Sequence, residues 1–558
     1  MIIAVLIQKK ICNCSAHAVD IHLTIAGTEK TEDFIIDGVG PAGDLFSPDF
    51  SRTLTPKQHN FVPNLDLGNI SHIGHAGIHA DHTAEKVEIA GPGFVNCYIN
   101  QTVWQSVLPE VCSQDASFGR STIGQDKKVL VEFVSANPTG PLSVGHGRQA
   151  VLGDAIAGLL AATGHQVTRE YYYNDAGRQM RVLGESTRAR YLEALGLPFT
   201  FPEDGYQGQY IRDIAQELIN EKGDTLKDES DVMVFKSKAE RVIFDDINGT
   251  LHRLGIVFDN YYNEHSLYEN GLVDDVVASL REKGLAYDQD GAVWFKGTEF
   301  DLPQDRVIIK STGEPTYRLP DMAYHREKFR RGFDWMVDIF GSDHIATVPD
   351  VLAGVKALGY DPAKVTVVLH QFVTLLRDGQ QVKMSTRKAN FVTVDELLDE
   401  VGPDVARFFF LMRKADSQLE FDLDLATKTS QENPVYYVQY AHARLHSISR
   451  QAEAKGVAPG SLQDAPLGRL VLDEETQLLK AMAGFPALVE GAALDLAPHR
   501  LVFFLQDIAG QFHSYYNKHR IVSEDEELSR ARLWLAMGVR VVLRNGLALI
   551  GVSAPESM

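Results

Sequence analysis

The chain has 558 residues, with 54 Lys+Arg against 75 Asp+Glu and a formal net charge of −21. That length suggests three or four domains and a core that needs no covalent staples, while 44% hydrophobic and 23% charged residues exclude a disordered chain. The acidic balance excludes a generic nucleic-acid coat, whose affinity comes from a basic surface, but leaves room for a local basic footprint.

In chain order, residues 1 to about 65 carry little pattern, and Gly, Pro, Asp and Ser recur through Gly38–Phe50 as in loops. The apolar opening Ile2–Ile7 is too short for a signal segment and has no basic residue before it; no run reaches ~18 apolar residues, so no membrane span is expected. Cys12, Cys14, Cys97 and Cys112 are too few for a disulfide framework, and the lone C-x-C lacks a second pair for zinc, which suits a reducing cytoplasm. Val87, Ile89, Val95 and Tyr98 suggest short strands around Gly91-Pro92-Gly93, and the polar stretch Ser113–Asp126 reads as a linker.

The clearest unit follows. Val129–Val134 reads as a buried strand and Ser135–Gly145 as a Pro- and Gly-rich loop. From Gly147, Val151, Ala155 and Leu159 with Leu152, Ile156 and Leu160 share one helical face; Gly164 stops that helix and Val167–Tyr173 is a second strand. This βαβ pattern predicts a parallel sheet with a right-handed crossover. Residues 185–300 read as a mostly helical insertion with a hairpin at Ala286–Phe295 around Asp290-Gly291. Strand patterns return at Val307–Lys310, Trp335–Phe340 and Val365–Leu369 and vanish after about residue 400. Asn433-Pro434 is a helix start, and the remainder to Ala548 reads as a helical bundle. The expected architecture is an α/β Rossmann-like parallel sheet over 113–430, a small α+β domain over 1–112 and an all-α bundle over 431–558.

The loop Ala136-Asn137-Pro138-Thr139-Gly140-Pro141-Leu142-Ser143-Val144-Gly145-His146 leaves a strand and enters a helix. Ligands bind at that end of a parallel sheet, and free N–H groups at a helix start attract phosphate. Gly145 and Gly147 allow close backbone approach, and His146 can donate to a phosphate oxygen; the competing reading is a plain βα turn with a surface histidine. The stretch Glu132–Arg148 resembles the signature of bacterial-type arginyl-tRNA synthetases, a class I aminoacyl-tRNA synthetase family. Their HIGH motif corresponds to Ser143-Val144-Gly145-His146, with serine in place of the first histidine. His72-Ile73-Gly74-His75 spells the motif literally but lacks the strand, loop and helix around it; with His79 and His82 it reads as solvated histidines, and no metal site is assigned.

The second class I signature is Lys383-Met384-Ser385-Thr386-Arg387, a KMSK-like loop that would neutralise charge on the β- and γ-phosphates, with Arg387 or Lys388 standing in for the second lysine. The resemblance further implies an arginine pocket of Glu132, Ser135, Asn137, Tyr317, Asp321 and His344, because carboxylates pair a guanidinium bidentately. For Glu132, in an otherwise apolar strand, an internal ion pair is the competing reading. Asn174 and Asp175 would support the site or simply lie on a surface loop.

By the same resemblance the substrates are L-arginine, tRNA(Arg) and ATP with Mg2+, with no tightly bound cofactor, and the enzyme is a cytoplasmic monomer. Arginine's carboxylate attacks the α-phosphate to give arginyl-adenylate, and the terminal adenosine of tRNA takes the arginyl group. Phe94 and Asn96 resemble a tRNA-elbow contact, and Tyr436, Tyr437 and Tyr440 could stack on anticodon bases or pack in the core. Residues 430–558 hold twelve Lys/Arg and fourteen Asp/Glu, a net of −2 of the total −21, so the acidity lies mainly outside the expected anticodon bundle. A basic footprint inside an acidic body would repel misplaced RNA.

Overall fold

Val129-Leu130-Val131 has no polar alternation, the pattern of a strand covered on both faces, and all three side chains are fully buried. The computed structural model describes residues 98–382 and 392–558 in full, and the backbone alone of Gln8–Lys9, Ala18–Thr24, Thr31–Asp37, Ala84–Ala90 and the start of Phe94–Ile99. The central sheet comprises β1 (Lys128–Glu132), β2 (Gln166–Tyr173), β3 (Asn260–Asn263), β4 (Trp335–Gly341) and β5 (Val365–His370). They lie in the order β5-β4-β1-β2-β3, all parallel. The order reverses between β1 and β4, so the loops leaving those two strands open a crevice at the carboxyl edge.

Helix α1 (Val144–Ala162) joins β1 to β2 and completes the expected βαβ unit. It is buried on almost every side rather than along one stripe, and a Cβ at Gly153 would collide with the Phe133 ring. Gly164 ends the turn after α1 at φ +84, where any side chain would be strained. The stretch read as a linker is part helix, Val107–Gln114. Beyond it, Ser121, Gly124 and Asp126 donate backbone N–H groups to Ala162, Thr163 and Gly164 at 3.0, 2.8 and 3.0 Å. Polar composition there reflects backbone lacing of the helix end, not an open tether.

Residues 185–300 contain the helices Gln209–Lys222 and Val232–Arg253, yet also supply β3, the edge strand of the main sheet. The hairpin turns at Asp290 and Gly291, both at positive φ, as a two-residue connection requires. The strand expected at Val307–Lys310 spans Arg306–Ile309, but pairs antiparallel with Ala292–Phe295 rather than joining the parallel sheet. Its central Ile308 is fully buried with Phe295, Leu319 and Met322 while its neighbours are half-exposed, the one-sided burial typical of a meander.

α2 (Arg318–Arg330) precedes β4. A second small sheet holds β6 (Val373–Arg377) between β7 (Gln380–Gln381) and β8 (Leu419–Asp422), so strands do continue past residue 400; α3 (Val394–Val401) lies between β7 and β8 in sequence. The helices Pro434–Ala454, Asp473–Leu494, His499–Lys518 and Glu526–Leu549 follow. Asn433 caps the first as predicted, accepting from Val435 N–H at 3.0 Å.

Two compact units divide the chain: Gly119–Ser447 with Leu488–Gly510 and Leu543–Met558, and the chain up to Phe118 with Ile448–Ala487 and Gln511–Val542. The first carries the sheet. Its buried Arg407 donates to Ile550 O at 2.9 Å, Leu254 O at 2.8 Å and Asp154 Oδ2 on α1 at 2.6 Å. Gly551, at φ +67, leaves the room that this guanidinium fills. In the other unit, Gln101 donates to Leu470 O and Thr476 Oγ1 at 3.1 and 2.7 Å, and buried Glu475 accepts from Tyr515 and Arg532 at 2.9 and 3.0 Å.

Candidate active site

Parallel register sets three carboxylates abreast across the sheet: Asp338 of β4 beside Glu132 of β1, and Glu132 beside Glu170 of β2. All are at most 2% exposed, which costs several kcal/mol per charge unless each is paired. Residues of α2 supply the partners. Lys328 Nζ, itself fully buried, donates to Glu132 Oε2 at 2.6 Å and Asp338 Oδ1 at 2.7 Å. Burial alone would lower this ammonium's pKa; Asp338 and Glu132 reverse that and hold it charged. His325 Nε2 lies 2.9 Å from Asp338 Oδ2, and Arg331, just past the helix, grips Glu170 with its two terminal guanidinium nitrogens. The ion-pair reading of Glu132 therefore describes its Oε2; its Oε1 accepts from Ser135 Oγ at 3.0 Å.

β1 ends at Glu132, two residues earlier than expected, because Val134 and Ser135 take φ of 67° and 43°. A β-branched residue there costs about 1–3 kcal/mol, a strain that marks functional corners. The following loop is pinned throughout. Ser135 Oγ accepts from Tyr172 N–H at 3.2 Å, and Asn137 accepts from Asn174 N–H at 3.0 Å and donates to Gln179 at 3.1 Å. Ala136 O and Thr139 O accept from the Tyr171 and Tyr210 hydroxyls, each at 2.8 Å.

The loop delivers Ser143 as the N-cap of α1, in a reciprocal box with His146. Burial lowers the His146 pKa, with Asp343 opposing it, so the ring is neutral near pH 7. A Cβ on Gly145 would meet only Ser143 Oγ, at 3.7 Å, so the helix N-terminus stays approachable. Arg148 ties α1 to the second sheet through Gln371 O, Lys414 O and Ser417 O at 2.7, 3.0 and 2.9 Å. Antiparallel bridging of Ser143 to Thr393, which caps α3, adds another tie. Lys383, Met384, Ser385, Thr386, Arg387 and Lys388 lie outside the described residues, between β7 and Thr393.

Asp321, in the first turn of α2, finds no hydrogen-bond donor for its carboxylate among the described residues. Burial, with Glu132 and Glu264 nearby, pushes it up to about 7 against the pull of His325 and Lys328. Glu264, also raised by burial, accepts from the Tyr172 hydroxyl and from Asn174 Nδ2, each at 2.7 Å. An unpartnered carboxylate among other acids can accept a cation's hydrogen bonds.

Comparison with known proteins supplies the family. The model for the class I (R) tRNA synthetase catalytic domain matches residues 107–418, and that for the DALR anticodon binding domain matches 438–558. An arginine–tRNA ligase of Desulfotalea psychrophila is 68% identical over 472 residues, 85% of this chain and 86% of that protein. One from Salinibacter ruber is 47% identical over 94% of this chain and 98% of its own. A solved Campylobacter jejuni chain described as an arginyl-tRNA synthetase superposes with a TM-score of 0.76 at 32% identity, covering 82% of this chain and all of that one. The chain belongs to the arginyl-tRNA synthetase family.

The other residues assigned by resemblance to an arginyl-tRNA synthetase lie on several elements. Tyr317 is 83% exposed, one residue before α2. His344 is exposed just beyond β4, its ring 5.4 Å from Phe340. Tyr436 and Tyr440 stack at 5.9 Å on one half-buried helix face, with Arg444 over Tyr440 at 4.6 Å. Tyr437 is also half-buried. Phe94 and Asn96 fall on the strand Phe94–Ile99, paired antiparallel with Ala84–Ala90; the His72–His82 cluster lies outside the described residues.

Sequence reasoning missed Lys328, Asp338, Glu264 and His370. The last, at the end of β5, is pushed down to about 4 by burial, with Arg148 and His146 adding to the effect. A charged residue inside an apolar strand was the available signal for Asp338; Glu264 had none.

Proposed function

We infer that this chain is an ATP-dependent arginine–tRNA ligase: it activates L-arginine to arginyl-adenylate and transfers it to the 3′ end of tRNA(Arg). The partnerless carboxylate of Asp321 at the carboxyl edge of the sheet carries the reading. With Glu264 it offers oxygens to a guanidinium, a fork that an ammonium cannot fill. Ser135 and Asn137 then lie where the substrate's α-carbon groups would sit. Glu132, already paired with Lys328, supports that floor.

ATP enters as its magnesium complex. Its phosphates meet the N–H groups of α1 and the His146 ring, and the sequence positions of Lys383 and Arg387 suit neutralisation of the leaving pyrophosphate. Attack by arginine's carboxylate on the α-phosphorus needs no protein nucleophile, so catalysis is positioning and charge stabilisation. The terminal adenosine's 2′-hydroxyl then attacks the arginyl carbonyl, losing its proton as the bond to phosphate breaks and AMP leaves. The same reading makes Phe94 and Asn96 elbow contacts, Tyr436, Tyr437 and Tyr440 anticodon contacts, and the enzyme a cytoplasmic monomer. No described helix is long and apolar enough to cross a membrane. Charging of cognate tRNA with radiolabelled arginine tests the reading; charging with a different amino acid, or none, overturns it.

A further inference from the structure

Ser143 occupies the position at which the family motif begins with histidine, and the reaction above gives it no ATP contact to make. It stands at φ −77, ψ 162 as the N-cap of α1. Its N–H donates to His146 Nδ1 at 3.2 Å, and its Oγ lies 3.3 Å from that nitrogen and accepts from the His146 N–H at 3.5 Å. The residue is itself held from outside the helix: it bridges Thr393, and the neighbouring Val394 N–H donates to Leu142 O at 2.8 Å.

A backbone N–H can only donate, so His146 Nδ1 is an acceptor; the Ser143 hydroxyl, 3.3 Å away, donates to the same nitrogen, and the neutral ring carries its proton on Nε2. That proton is the ring's one donor for a phosphate. We infer that Ser143 is a positioning residue for ATP, holding His146 in the Nε2–H form at the start of α1 and anchoring both to the strand-like segment at Thr393. The inference rests on the reaction proposed above. Serine at 143 thereby trades a potential charged donor for a fixed orientation of the donor that remains.

Full-length Ser143→Ala, Ser143→Gly and Ser143→Thr are compared in aminoacylation with ATP and arginine varied separately. Alanine is expected to raise the KM for ATP about three- to tenfold, the scale of one lost capping hydrogen bond, and to leave the KM for arginine unchanged. Glycine, which caps nearly as well as serine but lacks the hydroxyl, moves the KM for ATP in the same direction without unfolding the helix; threonine restores it. A lower melting temperature with the KM for ATP unchanged would mean a plain helix cap and overturn the inference, as would equal rises in both KM values. A wild-type chain that charges no tRNA overturns the reaction itself, before any variant is made.

Discussion

Asp321→Asn should make the protein more stable and nearly inactive at once. Burial among other carboxylates moves this group from its ordinary 3.8 to about 7. A raised folded pKa leaves stability whole below about pH 4 and withdraws it as pH climbs through 7. Complete ionisation would cost the fold roughly 4 kcal/mol, and the surface that Asp321 keeps discounts this to ~2 kcal/mol. Asparagine has the same shape and never ionises, so its melting temperature should match wild type near pH 4 and exceed it at pH 8. Arginine loses its charged partner: truncating one side of a buried pair costs about 3–5 kcal/mol, or roughly a hundred- to several-thousand-fold in kcat/KM for arginine. In wild type the KM for arginine should fall as pH rises through 7, and that dependence should vanish in the variant. Melting curves at both pH values, arginine titrations at saturating ATP and tRNA, and tRNA binding measure all three. A variant that melts below wild type at pH 8, keeps the wild-type KM for arginine, or loses tRNA affinity refutes the reasoning.

Lys328→Met strands two buried carboxylates and should cost about 3–5 kcal/mol in denaturant unfolding; adding Glu132→Gln should recover part of it, whereas an unchanged midpoint would show the pairs to be unimportant. Glu264→Gln should raise the KM for arginine about tenfold with the KM for ATP unmoved, the weight of one charge-assisted hydrogen bond, and equal effects on both would place Glu264 outside the guanidinium seat. Gly153→Ala drives a methyl into the Phe133 ring and should destabilise by about 1–3 kcal/mol; a neutral result would mean that α1 moves away from β1 easily.

The βαβ unit was legible in the amino-acid sequence because its signals are local: an apolar run, a Pro/Gly loop and a helical period that stops at Gly164. Ser143 showed in advance only as the ATP-loop residue that replaces the motif's first histidine, since its capping partner is evident only once the helix start is placed. Glu132 was suspect for the right reason, a charge in an apolar strand, but its partner Lys328 lies 196 residues away and belongs to a helix whose pattern is merely polar. Glu264 reaches Asp321's surroundings through an edge strand inside a segment that reads as helical. Pairing across the sheet, not composition, made the row of three carboxylates, and register is invisible until strand order is known.

Arg407 has a consequence for assembly in time. Its carbonyl acceptor at Ile550 is 143 residues downstream, beyond most of the segment matched by the anticodon-binding model. At about 5–20 residues per second, a ribosome needs roughly 7–30 s to supply it. Throughout that interval a guanidinium destined for the interior lacks one of its carbonyl acceptors, and the α1 carboxylate it holds, Asp154, belongs to a core not yet closed. The buried tie that Arg407 makes to helix α1 is thus completed only after most of the segment matched by the anticodon-binding model has been made.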